Sequence, residues 1–172
     1  MNEQLSLIPP DVESGATIDP TGDYRYDLWR IWEPGRTVNF IMLNPSKADG
    51  ERDDPTTVRC MNFARSWGYG GIVLTNLYAF RATLPTGLFR ADAPIGPDND
   101  EIVVNRARAS NLVVLAWGNH GAIRGRGMRV ESHLIEAGVV PHALKLTGAG
   151  EPGHPLYIPG WTQPRPIAEL RR

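Results

Sequence analysis

A single cysteine, Cys60, stands in the 172 residues, and one thiol excludes an internal disulfide, a cysteine-rich zinc site and an iron–sulfur cluster held by this chain alone. No stretch approaches the roughly 20 consecutive apolar residues that cross a bilayer, and the first residues lack a basic segment followed by an apolar run, so neither a membrane span nor a signal peptide is read. Excess charge is missing as well. The formal net charge is −1, and no global field announces a nucleic-acid partner, although arginine recurs at Arg124, Arg126 and Arg129. Also missing are a serine-hydrolase elbow, a P-loop and a His-Glu-x-x-His helix. The absences leave a cytoplasmic protein, monomeric or weakly dimeric, with no membrane association and no cofactor.

What is present is an ordinary soluble composition, 41% hydrophobic and 22% charged, over a length suited to one domain. Residues 1–20 carry prolines and small polar residues without periodicity and read as a flexible arm, leaving 21–172 as a single α/β domain. Residues 24–32 (YRYDLWRIW) alternate bulky and polar side chains, as an edge strand does. Apolar runs at 38–43, 72–74, 111–117 and 142–146 read as further strands. Between them lie helical segments beginning at Asp53-Asp54-Pro55-Thr56 and spanning about 98–109 and 127–137. The order β-β-α-β-α-β-α-β implies a three-layer sandwich around a central, mainly parallel, four-stranded sheet. The proline-rich last residues read as coil with a short turn. There is no internal repeat and no low-complexity tract.

In such sheets ligands bind beyond the carboxyl ends of the strands. The residues there are Asn44-Pro45-Ser46 after the first apolar strand, then Asn76-Leu77-Tyr78 with Arg81. Trp117-Gly118-Asn119-His120 follow the third, and Gly153-His154-Pro155-Leu156-Tyr157 lie beyond the fourth. Asparagine and proline are ordinary turn formers, but short polar side chains and two histidines at successive strand ends have the composition of a site. Arg124 and Arg126, in a glycine-punctuated segment that opens a helix, have the composition of a phosphate cradle. Asp53 and Asp54 are explained by helix N-capping, and no His/Cys/Asp set has metal-ligand spacing, so no metal is expected.

The runs Met42-Leu43-Asn44-Pro45-Ser46-Lys47-Ala48-Asp49, Asp53-Asp54-Pro55-Thr56, Arg59-Cys60, Trp67-Gly68-Tyr69-Gly70-Gly71, Asn76-Leu77 and Arg81-Ala82-Thr83 resemble a bacterial and phage family, domain of unknown function 1643, over roughly residues 24–160. A more distant resemblance is to the uracil-DNA glycosylase superfamily. Leu43-Asn44-Pro45-Ser46 falls on its first motif, Val73-Leu74-Thr75-Asn76-Leu77 with Arg81 on its second, Val114-Leu115-Ala116-Trp117-Gly118 on its third and His154-Pro155-Leu156-Tyr157 on its last. The departures are Met42 for a glycine, Asn44 for the aspartate of efficient uracil excisers, and Leu156 for a serine. This resemblance implies a glycosylase-like hydrolase acting on the N-glycosidic bond of a base, modified or not, in DNA or in a free nucleotide. Asn44 and His154 would be catalytic. Pro45, Ser46, Asn76, Tyr78, Arg81, Asn119 and His120 would bind the substrate, with Tyr78 or Phe80 stacking on the base, and Arg124 and Arg126 would hold phosphate. The competing expectation is a non-catalytic nucleobase- or nucleotide-binding module on the same fold, because the carboxylate is missing. A purely structural domain fits the polar strand ends least.

Overall fold

The computed structural model describes residues 5–82 and 84–172; Thr83 and residues 1–4 of the expected arm lie outside them. In chain order the strands are β1 (Ser6–Leu7), β2 (Glu13–Ile18), β3 (Arg25–Ile31), β4 (Thr37–Met42), β5 (Arg52–Asp53), β6 (Gly71–Asn76), β7 (Leu112–Leu115), β8 (His142–Ala143) and β9 (Arg165–Pro166). The helices are α1 (Pro55–Ser66), α2 (Pro85–Arg90), α3 (Asn99–Ala109), α4 (Arg126–Glu136) and α5 (Ile167–Leu170). None of the described helices is long and apolar enough to cross a membrane.

The central sheet has seven strands, ordered β2-β3-β6-β4-β7-β8-β9, where four were expected. Its middle is parallel, with β4 between β6 and β7 and β8 beyond β7. The additions are antiparallel: β2 and β3 beside β6, and β9 beside β8. Each parallel crossover carries a helix, α1 from β4 to β6, α3 from β6 to β7 and α4 from β7 to β8, as parallel pairing requires. Strand alternation divides β4 between two cores. Val38, Phe40 and Met42 pack with Cys60, Met61, Phe63 and Ala64 of α1. On the other face Ile41 packs with Val103 and Ala107 of α3, Val130 and Leu134 of α4 and Ile167 of α5. Ile41, Leu74, Val114 and Leu115, from the apolar runs of the three middle strands, are all buried.

Helix α1 begins where Asp54 accepts the Thr57 N–H at 2.7 Å, with Pro55 in the first turn. Such a cap contributes about 1 kcal/mol. It stops at Gly68, whose φ of +80° suits glycine. Cys60, at its centre, is fully buried, and desolvation pushes its thiol well above the ordinary range.

Three expectations need correction. β3 is an interior strand, not an edge, because residues 13–18 pair with it as β2. That pairing depends on Gly15, where a Cβ would come within 2.1 Å of the Trp29 ring. Covered on both faces, β3 holds buried charge: Arg25, Asp27 and Arg30 are all at most 2% exposed. Asp27 accepts Arg106 Nε at 2.5 Å, and Arg30 Nε donates to Asp53 at 2.8 Å. The fourth parallel strand is only two residues long, and the last segment forms β9 and α5 where coil was expected.

Candidate active site

The carboxyl ends of the parallel strands open into one cleft of about 770 Å³, within the range of small-molecule sites. Asn44, Pro45 and Ser46 enter it from the end of β4, and Asn76 is the last residue of β6. Trp117, Gly118, Asn119 and His120 enter from the turn after β7, Thr147 from the loop after β8, and His154 and Tyr157 from further along. Arg81 closes one side. Because β3 runs antiparallel to β6, its first residue rather than its last reaches this edge, and Arg25 joins the lining from there.

The hydrogen bonds decide which groups remain available. Asn44 Nδ2 donates to Ala82 O at 3.0 Å and Pro45 O at 3.2 Å, which leaves its oxygen to accept. Asn76 is 1% exposed, and its Nδ2 has no hydrogen-bond partner among the described residues. The backbone behind it is fixed, since Asn99 Nδ2 donates to the carbonyls of Asn76 at 2.9 Å and Leu77 at 3.1 Å. Ser46 Oγ donates to the buried carboxylate of Asp54, the same group that caps α1. Thr147 Oγ1 donates to Asn119 Oδ1 at 2.6 Å, and Trp117 Nε1 to Glu151 at 2.8 Å.

His154 Nδ1 accepts the Leu156 N–H at 3.2 Å. In the neutral ring the proton therefore sits on Nε2, which is left as a donor. Desolvation lowers the His154 pKa, partly opposed by the nearby Asp54 carboxylate, so the ring is neutral at neutral pH. Tyr157 leans over it, ring centres 5.6 Å apart.

The charge in the cleft is one-sided. Arg25, Lys47 and Arg81 line it, and none of the described lining residues is Asp or Glu. Arg25 is 2% exposed and pairs with no carboxylate among the described residues. Burial lowers its guanidinium to about 10, Asp54 opposing the shift, and it stays charged at neutral pH. A buried cation that faces a cavity and makes no direct ion pair fits an anionic ligand. No group of three or more metal-ligating side chains gathers among the described residues.

The structure thus brings together Asn44, Pro45, Ser46, Asn76, Arg81, Asn119, His120 and His154. It does not bring Tyr78, Arg124 or Arg126 to them. Tyr78 turns to the face that packs on α3 and α4, where it lines a separate cavity with Arg124, Arg126 and Arg129. Phe80 packs edge-on against Tyr24 at 5.9 Å. Neither aromatic stacks in the cleft. Sequence reasoning overlooked Arg25 and Lys47; only Lys47, adjoining Ser46, carried a local signal.

Over residues 25–156 the chain matches the family described as protein of unknown function, DUF1643. It belongs to the DUF1643 family. No curated protein and no solved structure matches the chain. The DUF1643 match begins at Arg25 itself and takes in every residue of the cleft lining except Gly22 and Tyr157.

Proposed function

We propose that the cleft binds a nucleotide and hydrolyses the N-glycosidic bond to its base. The observation that carries this reading is the pairing of Asn76, with a buried and unused amide donor, and His154, with a free neutral Nε2–H, in one cationic cleft. An asparagine side chain donates and accepts at once, so it reads the amide or imide edge of a base. Arg25, Lys47 and Arg81 supply the countercharge for the phosphate. In the reaction water adds to the anomeric carbon, the C–N bond breaks, and its electron pair leaves with the base. The water proton goes to solvent or to the base. His154 Nε2–H donates to the oxygen on which negative charge collects as the bond breaks, where a preformed donor in a dry site is worth most. Asn44, with only its oxygen free, positions the water without deprotonating it, which makes the hydrolysis slow.

The distant resemblance of four ordered motifs to those of the uracil-DNA glycosylase superfamily supports the same chemistry. A free nucleotide is favoured over DNA because Arg124, Arg126 and Arg129 line a different cavity, sharing no lining residue with the cleft. The second reading, a nucleotide-binding module, is favoured by the lack of a carboxylate among the described lining residues.

The test is incubation with nucleotides and single-stranded DNA carrying normal and modified bases, with chromatographic detection of released base. Asn44→Asp is expected to raise release from uridine and deoxyuridine nucleotides by about tenfold or more, since a carboxylate there takes the water proton. Unchanged release in Asn44→Asp would remove Asn44 from the water site.

The acid limb of the pH profile follows from His154. With the folded pKa below the ordinary 6.5, the neutral ring persists as pH falls through 6.5 and is lost only lower down. Base release is expected to hold steady through 6.5 and decline below it. His154→Gln should lose that decline. In the wild type the same group contributes stability that is complete above the unfolded pKa and is lost as pH falls through the folded one. A rate that climbs as the ring protonates would overturn the neutral-donor role.

A further inference from the structure

The second cavity, about 590 Å³, lies beyond the end of β6 from the cleft. Tyr78 forms part of its wall, the segment Asp92–Pro97 another part, and Arg124, Arg126 and Arg129 the rest. Two of these side chains are almost wholly buried, Tyr78 at 2% and Arg126 at 3% exposure. Arg126 spends Nε and Nη2 on Leu77 O, at 2.9 and 2.8 Å, and Nη2 also meets Asp100 at 2.5 Å. Its Nη1 is buried with no partner among the described residues, and so is the Tyr78 hydroxyl. Unmade bonds of that kind cost about 1–3 kcal/mol each when nothing satisfies them.

Two further features point the same way. The N-cap of α4 is Gly125, which offers no side chain to the first-turn N–H groups; the Arg126 N–H meets Gly121 O and Ile123 O, and the N–H groups after it, without a capping side chain, favour an anion. Arg124, immediately before it, is the only described non-glycine residue with positive φ, +56°. Against the three arginines stands one carboxylate in the lining, that of Asp92.

We propose that this cavity is a second binding site, for the phosphoryl group of a small phosphorylated molecule. Arg126 Nη1 and the Tyr78 hydroxyl donate to the phosphoryl oxygens, and Arg124 and Arg129 supply countercharge from the rim. The cavity serves a ligand separate from the one held in the cleft. It is also tied to the cleft, since the segment after β7 carries Asn119 and His120 into the first cavity and Arg124 and Arg126 into the second. Trp117 lines the cleft while its ring packs on Gly127 in the first turn of α4.

The experiment is calorimetric titration of the full chain with inorganic phosphate and with ribose 5-phosphate. The variants are Arg124→Gly, which keeps the backbone conformation, Tyr78→Phe, and Arg81→Ala in the cleft. Arg126 is left intact because it ties α4 to Leu77 and Asp100. Saturable phosphate binding is expected, weakened several-fold by Arg124→Gly, which removes a countercharge at the rim, and several-fold by Tyr78→Phe, which removes a neutral hydrogen bond. Arg81→Ala should leave this binding in place. Titrations that Arg124→Gly and Tyr78→Phe leave unchanged, or an absence of saturable binding, would overturn the site. Phosphate binding abolished by Arg81→Ala alone would overturn it too and leave the cleft reading standing. A single-stranded oligonucleotide without terminal phosphate that binds through Arg124 would replace the small ligand by a nucleic-acid backbone and overturn the proposal as stated.

Discussion

Replacing His154 by alanine is expected to lower the rate of base release by about 10²–10³ while nucleotide affinity changes little, the pattern left by a donor that acts only as charge develops. The reason lies in its hydrogen bonds. Nδ1 is committed to the Leu156 N–H, so only Nε2–H is free, and the ring carries no charge with which to hold a ground-state phosphate. Single-turnover rates measured beside equilibrium affinities separate the two effects. Should His154→Ala instead weaken affinity, with no base released by either protein over many hours, the cleft is a nucleotide-binding module.

The largest effect on stability is expected at Asp53. Its carboxylate is 3% exposed and meets the fully buried Arg30 guanidinium at 2.8 Å. Arg30 has other partners, the carbonyls of Trp29 at 2.8 Å and Arg52 at 3.2 Å, but these satisfy its N–H groups without cancelling its charge. Asp53→Ala leaves that charge buried and uncompensated, at a cost of about 3–5 kcal/mol. For a domain of ordinary stability, about 5–15 kcal/mol, that approaches loss of the fold. The exposed Arg165–Glu169 pair at 3.6 Å offers the contrast, because Glu169→Ala should change stability by less than about 1 kcal/mol. Urea unfolding of both variants measures the difference. A loss at Asp53 as small as that at Glu169 would mean that the backbone carbonyls alone hold Arg30.

Why some of this was legible in sequence, and some not, can be traced to particular residues. Asn44, Asn76, Asn119 and His154 follow apolar strands, and parallel pairing carries all such ends to one sheet edge, so local reading gathers them correctly. Arg25 escaped because its place depends on the direction and neighbours of β3. As an edge strand it would turn polar side chains to solvent. As an interior strand, antiparallel to β6, it delivers its first residue to the cleft. The partner that makes it interior, β2, has the sequence ESGATI, with no apolar alternation, because Gly15 is there to make room for Trp29. Tyr78 misled for a related reason. It lies two residues beyond Asn76, close enough in the chain to suggest the same site, yet its ring packs in the core on the α4 side of the sheet. The base-stacking role expected of it has no counterpart in the cleft. The uracil-DNA glycosylase likeness remains one of motif order, and the sheet around those motifs carries three strands beyond the four expected.

The burial of Cys60 has a practical consequence. A thiol with no exposed surface, held protonated by its apolar surroundings, is closed to alkylating reagents until α1 lifts from the sheet. The rate at which a small maleimide labels it under native conditions therefore reports how often that helix opens. Thr56, in the first turn of the same helix, belongs to the cleft wall. An occupant that binds only the closed wall slows the labelling in proportion to its saturation, so the lone cysteine works as a built-in occupancy gauge for a ligand whose identity need not be known beforehand.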